Sequence, residues 1–322
     1  MKFSAMAFPK IPFRKKKVKD FLLIEIGLEV VNMAKLSMEG EPKIVEVGRK
    51  SFPSLKDMFN ASLEAIDDLA GKTSDIPNKA ILGVSGGPIK TETTVAQYSR
   101  PEPNDPVDSR EIEKVLEEVS VKSNHGDLKL FFSTVVSANV DGTKVSNPIG
   151  IKGEKIALSC FIAFKHPEEL AVFDKLVNEI DMNYEKIIPT SYAVAKMLLA
   201  KGNENTLLLR VGKNKSEASF LTKGHINEIL QFDLGSANPE LLEVGLEVAL
   251  EKMSRESLPE HIYLYPDHAE VDLNEFKERL SNFPWNNFHL KKPPYIEVAN
   301  NNEKNMSEDI GLKALSFEAR EE

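Results

Sequence analysis

The sequence predicts an α/β protein assembled from two similar halves. DFLLIEIGLEVVNMAKLSMEGEPKIVEVGRKSF, residues 20 to 52, reads as three short strands, with breaks at Gly27 and around Gly40. TLLLRVGKNK, SEASFLTKG and HINEILQFDLG, residues 206 to 235, repeat that rhythm in reduced form. In each case a helix follows the three strands and another strand follows the helix, the order that parallel crossovers require, so the two units should face each other.

The first helix is SLKDMFNASLEAIDDLAGK, with Leu55, Phe59, Leu63, Ile66 and Leu69 at helical spacing and Gly71 as a C-cap. NKAILGVSGG, residues 78 to 87, is a buried strand ending in glycines. Residues 88 to 109 then turn polar and proline-rich, and SREIEKVLEEVSVK forms a helix capped by Ser109 with glutamates in its first turn. KLFFSTVVSANVDG and EKIALSCFIAFK pair as strands across the turn-rich TKVSNPIGIKG. HPEELAVFDKLVNEIDMN is a helix, and EKIIPTSYAVAKMLLAKG gives a short strand and a further helix ending near Gly202. In the second half, NPELLEVGLEVALEKMS is a helix, EHIYLYPD a strand and LNEFKERLSNF a helix, followed by a polar tail in which NNNEKN reads as a loop.

Composition narrows the function classes. The 322 residues are 41% hydrophobic and 28% charged, as in an ordinary globular protein of two or three domains. The single cysteine, Cys160, rules out a disulfide framework and sits in the apolar ALSCFIAF, which reads as a buried thiol in a reducing cytoplasm. No run approaches the ~18 apolar residues of a membrane span, and the charges of the N-terminus follow its apolar residues, unlike a secretory signal.

The net charge of −9 is unevenly spread: Lys2, Lys10, Arg14, Lys15, Lys16, Lys17 and Lys19 precede the first acid. The remainder is therefore more acidic than the whole and should be repelled by nucleic acid. In this arm the aromatic Phe8 and Phe13 flank Pro9 and Pro12, which prevent one long helix. Phe8, Phe13, Arg14, Lys15, Lys16 and Lys17 together suit an anionic membrane surface or an acidic partner. The six histidines are scattered without metal-ligand spacing, and no serine has a visible base, so neither a metal site nor a nucleophilic triad is expected.

The stretch VDGTKVSNPIGIKGEKIALSCFIAF, residues 140 to 164, with the helix, strand and helix that follow, resembles the actin-like ATPase superfamily, specifically its bacterial FtsA and PilM branch. In that family a similar segment closes an inserted SHS2 subdomain, and AILGVSGGPIKTE, residues 80 to 92, is similar to the approach to the insertion. The resemblance implies an actin-like, ribonuclease H-like duplicated fold with an SHS2-type α+β insertion and a reduced second domain. It divides the chain into a basic-aromatic arm (1–20), a first domain (21–86 and 167–202), the insertion (87–166), a second domain (203–298) and a polar tail (299–322).

The departures from the family bear on nucleotide binding. Where ATP-binding members have Asp-Ile-Gly and small hydroxyl residues, this chain has Glu25, Ile26 and Gly27, then Leu28, Glu29 and Val30. The second phosphate loop, Asp-Ile-Gly-Gly-Gly-Thr in the family, corresponds to Arg210, Val211, Gly212, Lys213, Asn214 and Lys215. GKNKS shares part of a P-loop but not its spacing. A Gly-rich adenosine turn is replaced after HIYLY by Pro266, Asp267, His268, Ala269 and Glu270. The expectation is a pseudo-ATPase without ATP or magnesium, in which Arg210 faces Glu25 across the old cleft. Only one helix and a brief link separate LQFDLG from HIYLY, where the family inserts a further subdomain; this counts against filament formation and FtsZ recruitment.

The resemblance thus implies a non-catalytic FtsA-type scaffold at the cytoplasmic face of the membrane, with protein partners in division or pilus machinery and room for self-association. The alternatives are a PilM-like pilus assembly protein and an active ATPase with atypical phosphate loops.

Overall fold

The computed structural model describes residues 20–73, 75–123, 125–145, 147–222, 225–252, 259–268, 271–288, 292–299 and 309–320. The basic-aromatic arm, with Phe8, Phe13, Arg14, Lys15, Lys16 and Lys17, lies outside the described residues. The first half contains β1 (Phe21–Ile26), β2 (Val30–Ser37), β3 (Lys43–Ser51), α1 (Met58–Ala70) and β4 (Lys79–Val84). An insertion follows, with β5 (Lys90–Ser99), α2 (Ser109–Lys122), β6 (Lys129–Val140), β7 (Thr143–Val145) and β8 (Lys155–Lys165). The chain then continues through α3 (Pro167–Glu179), β9 (Asn183–Pro189) and α4 (Thr190–Leu199). The second half comprises β10 (Thr206–Val211), β11 (Ser216–Thr222), β12 (His225–Phe232), α5 (Pro239–Lys252), β13 (His261–Pro266), α6 (Asn274–Asn282) and β14 (Tyr295–Val298), and α7 (Ile310–Ala319) comes last.

Two five-stranded sheets have the same architecture, in the orders β3-β2-β1-β4-β9 and β12-β11-β10-β13-β14. In each, an antiparallel meander is extended by two parallel strands. The central strands β1 (FLLIEI) and β10 (TLLLRV) are buried along their whole length. Sheets covered on both faces read as continuous apolar runs, and each of these runs is interrupted by a single ion-bearing residue, Glu25 or Arg210. The insertion is a separate four-stranded sheet, β5-β8-β6-β7, with its own core around Leu158, Cys160 and Ile162. Burial pushes the Cys160 thiol up to about 11, so it remains an unreactive thiol. Lys165, at the end of β8, donates to the Gly86 carbonyl at 2.7 Å and pairs with Glu169 at 2.5 Å, tying the insertion back to the loop after β4.

The sequence-based expectations need four corrections. Residues 299–322 are not simply a polar tail, because they contain α7, most of which is buried against α4 and the first sheet. The polar stretch after residue 88 holds β5, whose outward residues alternate with inward ones. Ahead of α7, the fifth strand of the second sheet, β14, begins just after the Pro293–Pro294 pair. The N-cap of α2 is Asp108, whose carboxylate accepts from the Glu111 N–H at 2.8 Å; Ser109 is the first helical residue. Among the described residues, no helix is long and apolar enough to cross a membrane.

Candidate functional site

The ends of β1 and β10 meet between the two halves, and the turns that follow them are equivalent. The Gly27 N–H donates to the Val30 carbonyl and the Gly212 N–H to the Lys215 carbonyl, both at 2.7 Å. The neighbouring parallel strands match as well: Ser85 N–H donates to the Ile26 carbonyl and Asp267 N–H to the Val211 carbonyl, again at 2.7 Å. Glu25 thus corresponds to Arg210, Glu29 to Asn214, and Ser85 to Asp267.

Equivalent positions touch across the approximate symmetry. Arg210 Nη2 lies 2.7 Å from Glu25 Oε1, and the Glu29 carboxylate accepts from the Asn214 backbone N–H at 2.9 Å and from its side-chain amide at 2.7 Å. Arg210 also lies 2.7 Å from Asp267 Oδ1 and donates to Ser85 Oγ at 2.7 Å. Asp267 completes the cluster by accepting from the N–H groups of Leu28 and Glu29, both at 2.9 Å. The site residues Glu25, Ile26, Gly27, Glu29, Arg210, Gly212 and Asp267 are therefore brought together. Lys213 and Lys215 lie beside them, facing small cavities of about 320 and 500 Å3.

Backbone N–H groups of both turns are thus taken by carboxylates. Successive N–H groups in a turn make an anion-binding concavity, and here the anion is a carboxylate of the chain itself. Gly27 shows how close the approach is: a Cβ there would lie 2.7 Å from Asp267 Oδ1 and 2.9 Å from Arg210 Nη2. Glu25 and Asp267 are fully buried and Arg210 is 2% exposed. Removing three charged groups from water is costly, so the cluster depends on its mutual contacts.

Several participants were not singled out in the sequence. Asn32, opposite Glu25 on β2, donates to its carboxylate at 2.9 Å. Asp309, which caps α7 by accepting from the Leu312 N–H at 3.1 Å, pairs with Arg49 at 3.0 Å and stands beside Glu25. Gly311 presses on the same carboxylate, since a Cβ there would fall 1.8 Å from Glu25 Oε1. Burial pushes the Glu25 carboxyl up from 4.5 to about 7; Arg210 and Asn32 oppose the rise, and Asp309 adds to it. Glu217, opposite Arg210 on β11, is also raised by burial, against the pull of its hydrogen bond from Gln231 and of Arg210. Polar residues on strands flanking an apolar run were the available signal, because register places them beside any ion on that run.

Among the described residues, no group of three or more His, Cys, Asp or Glu is arranged to hold a metal ion. His268 is largely buried, and Glu270 lies outside the described residues.

No protein-family model matches the chain. No curated protein matches it either. Among solved structures, it is similar to a PilM-PilN type IV pilus biogenesis complex, with a TM-score of 0.59 and 12% identity over 94% of this chain and 99% of that one. It is also similar to a Bacteroides thetaiotaomicron protein of actin-like ATPase fold and unknown function (TM-score 0.48, 10% identity, 96% and 99% covered). A third similarity is to the cytoplasmic domain of EpsL, an inner membrane component of the type II secretion system of Vibrio cholerae (0.41, 9%, 94% and 94%). The chain has the actin-like ATPase fold.

Proposed function

Taking the actin-like ATPase fold as premise, we propose that this chain is a non-catalytic scaffold of pilus-type machinery, a pseudo-ATPase whose cleft is closed by its own side chains. The observation that carries this reading is the pair of carboxylates in the phosphate loops: Asp267 on the N–H groups of Leu28 and Glu29, and Glu29 on that of Asn214. Phosphoryl transfer needs a metal-bound polyphosphate and preorganised positive charge at those positions. The charge is present in Arg210, but Glu25 and Asp267 already neutralise it. A triphosphate would have to displace the buried Asp267 carboxylate and the partly exposed one of Glu29, and would meet Glu25 beyond them, so the residues present do not fit Mg-ATP.

The similarity to a pilus biogenesis complex favours the PilM-like form of the scaffold over the division form. In this reading the chain acts at the inner face of the membrane, holds a partner of the pilus assembly and turns nothing over. Two assays test it. Phosphate release from Mg-ATP by the purified chain should not exceed the buffer blank, and capture from a membrane extract of the native cell should enrich pilus components. Steady hydrolysis abolished by Asp267→Ala would overturn the non-catalytic reading, and enrichment of division proteins alone would overturn the pilus assignment.

A further inference from the structure

The insertion carries a groove that shares no lining residue with the cleft between the halves. It has a volume of about 1040 Å3 and runs between β5, the loop through Pro101 and Pro106, and α2. Thr94, Val95, Ala96, Gln97 and Tyr98 all line it. Successive residues of a strand point to opposite faces, so five consecutive residues can share one cavity only if it follows the strand's edge. β5 is an edge strand: β8 pairs with it from Lys90 to Ser99, and among the described residues no strand pairs with its other side. At its start that side is covered by β12, where Thr91 Oγ1 accepts from the Ile229 N–H at 3.0 Å and Thr93 Oγ1 donates to the Ile226 carbonyl at 2.9 Å. From Val95 onward it is open, and Val95 is 56% exposed.

The floor is built rather than incidental. Tyr98 donates to Glu111 at 2.9 Å, and Arg100, only 9% exposed, pairs with Glu111 at 2.8 Å and donates to the Asp105 carbonyl at 2.7 Å. This network holds α2 and the 101–108 loop at a fixed distance from the strand. Arg100 is thereby neutralised, whereas the exposed carboxylates of Glu102, Asp105 and Glu118 rim the groove, with Lys114 and Lys122 as its remaining cations.

We propose that this groove binds an extended, lysine- or arginine-bearing segment of a partner protein, which adds as a strand to the open edge of β5 from Val95 to Ser99. Backbone hydrogen bonds supply the affinity, and the carboxylates of the rim select a basic sequence. A free strand edge beside a preformed groove is a standing template for such pairing. The site is independent of the nucleotide cleft, so it stands or falls separately from the pseudo-ATPase reading.

The test uses the full chain and a labelled octapeptide of alternating lysine and valine, read by fluorescence anisotropy at low and physiological ionic strength. Saturable binding is expected, weakened at least about tenfold by Glu102→Lys/Asp105→Lys/Glu118→Lys, whose positions are exposed and leave the fold intact. The same peptide N-methylated on every amide should also lose binding, since neither of its edges then has an N–H to offer the strand. Equal binding of the methylated peptide would reduce the effect to charge alone and overturn the proposal. So would binding unchanged by the charge reversals. A chain that binds no peptide but sediments as a dimer dissolved by Val95→Lys would assign the edge to a second copy instead.

Discussion

Arg210 is held by Glu25, Asp267 and Ser85, each on a different strand end or turn. Replacing it with alanine leaves two buried carboxylates without their cation, and the expected loss is about 3–5 kcal/mol, measured by urea unfolding. Restoring part of that loss with Glu25→Gln in the same chain should show a coupling well above experimental error, whereas simply additive losses would deny the pairing. Glu25 also predicts a pH effect. Its folded carboxyl titrates at about 7 and its unfolded one near 4.5, so the folded state holds more protons in between. The stability this group contributes when protonated is complete below pH 4.5 and is lost as pH rises through about 7. Relative to Glu25→Gln, the native chain should therefore lose about 3 kcal/mol across that window. A difference between the two that is flat with pH would show that the carboxyl is not raised. Both ions were legible in the sequence, because each interrupts an apolar strand. Asp309 was not, because nothing local connects a C-terminal cap to the first strand.

At the scale of the element, α7 and β5 show where pattern reading stops. In α7 the buried positions include Gly311, Ala314, Ser316 and Ala319 as well as Leu312 and Leu315, so few large apolar residues mark its face. Small residues are what the site requires: Gly311 admits the Glu25 carboxylate, and Leu315 fills the space above Gly83. Glu318, close to the C-terminus of the helix, is held between Lys186 at 3.2 Å and Lys196 at 3.0 Å. Leu315→Ala should cost about 2–5 kcal/mol by urea unfolding, with a surface control such as Lys313→Ala near zero. A small loss at Leu315 would mean that α7 is only loosely docked. β5 escaped for the opposite reason. KTETTVAQYS is an edge strand with one half-exposed face, and its threonines and charges resemble a linker until its pairing with β8 is known.

At the scale of the whole molecule, the duplicated strand order was readable from two runs of three strands, and the sheets follow it. The junction was less readable, since it depends on pairs between equivalent positions far apart in sequence, such as Glu29 with Asn214. Those pairs make the cleft a structural joint between the halves. Asp267→Ala should accordingly speed amide exchange at Leu28 and Glu29, whose N–H groups it now accepts, beyond any change in the outer strands. Uniform acceleration throughout both sheets would indicate global destabilisation instead. In the proposed reading the chain's own carboxylates take the place of phosphate. Its most direct test is calorimetric titration of the native protein with Mg-ATP, alongside the shift in its melting temperature. No saturable heat and no shift are expected at millimolar nucleotide; saturable binding at micromolar concentration would mean that the cleft still admits nucleotide.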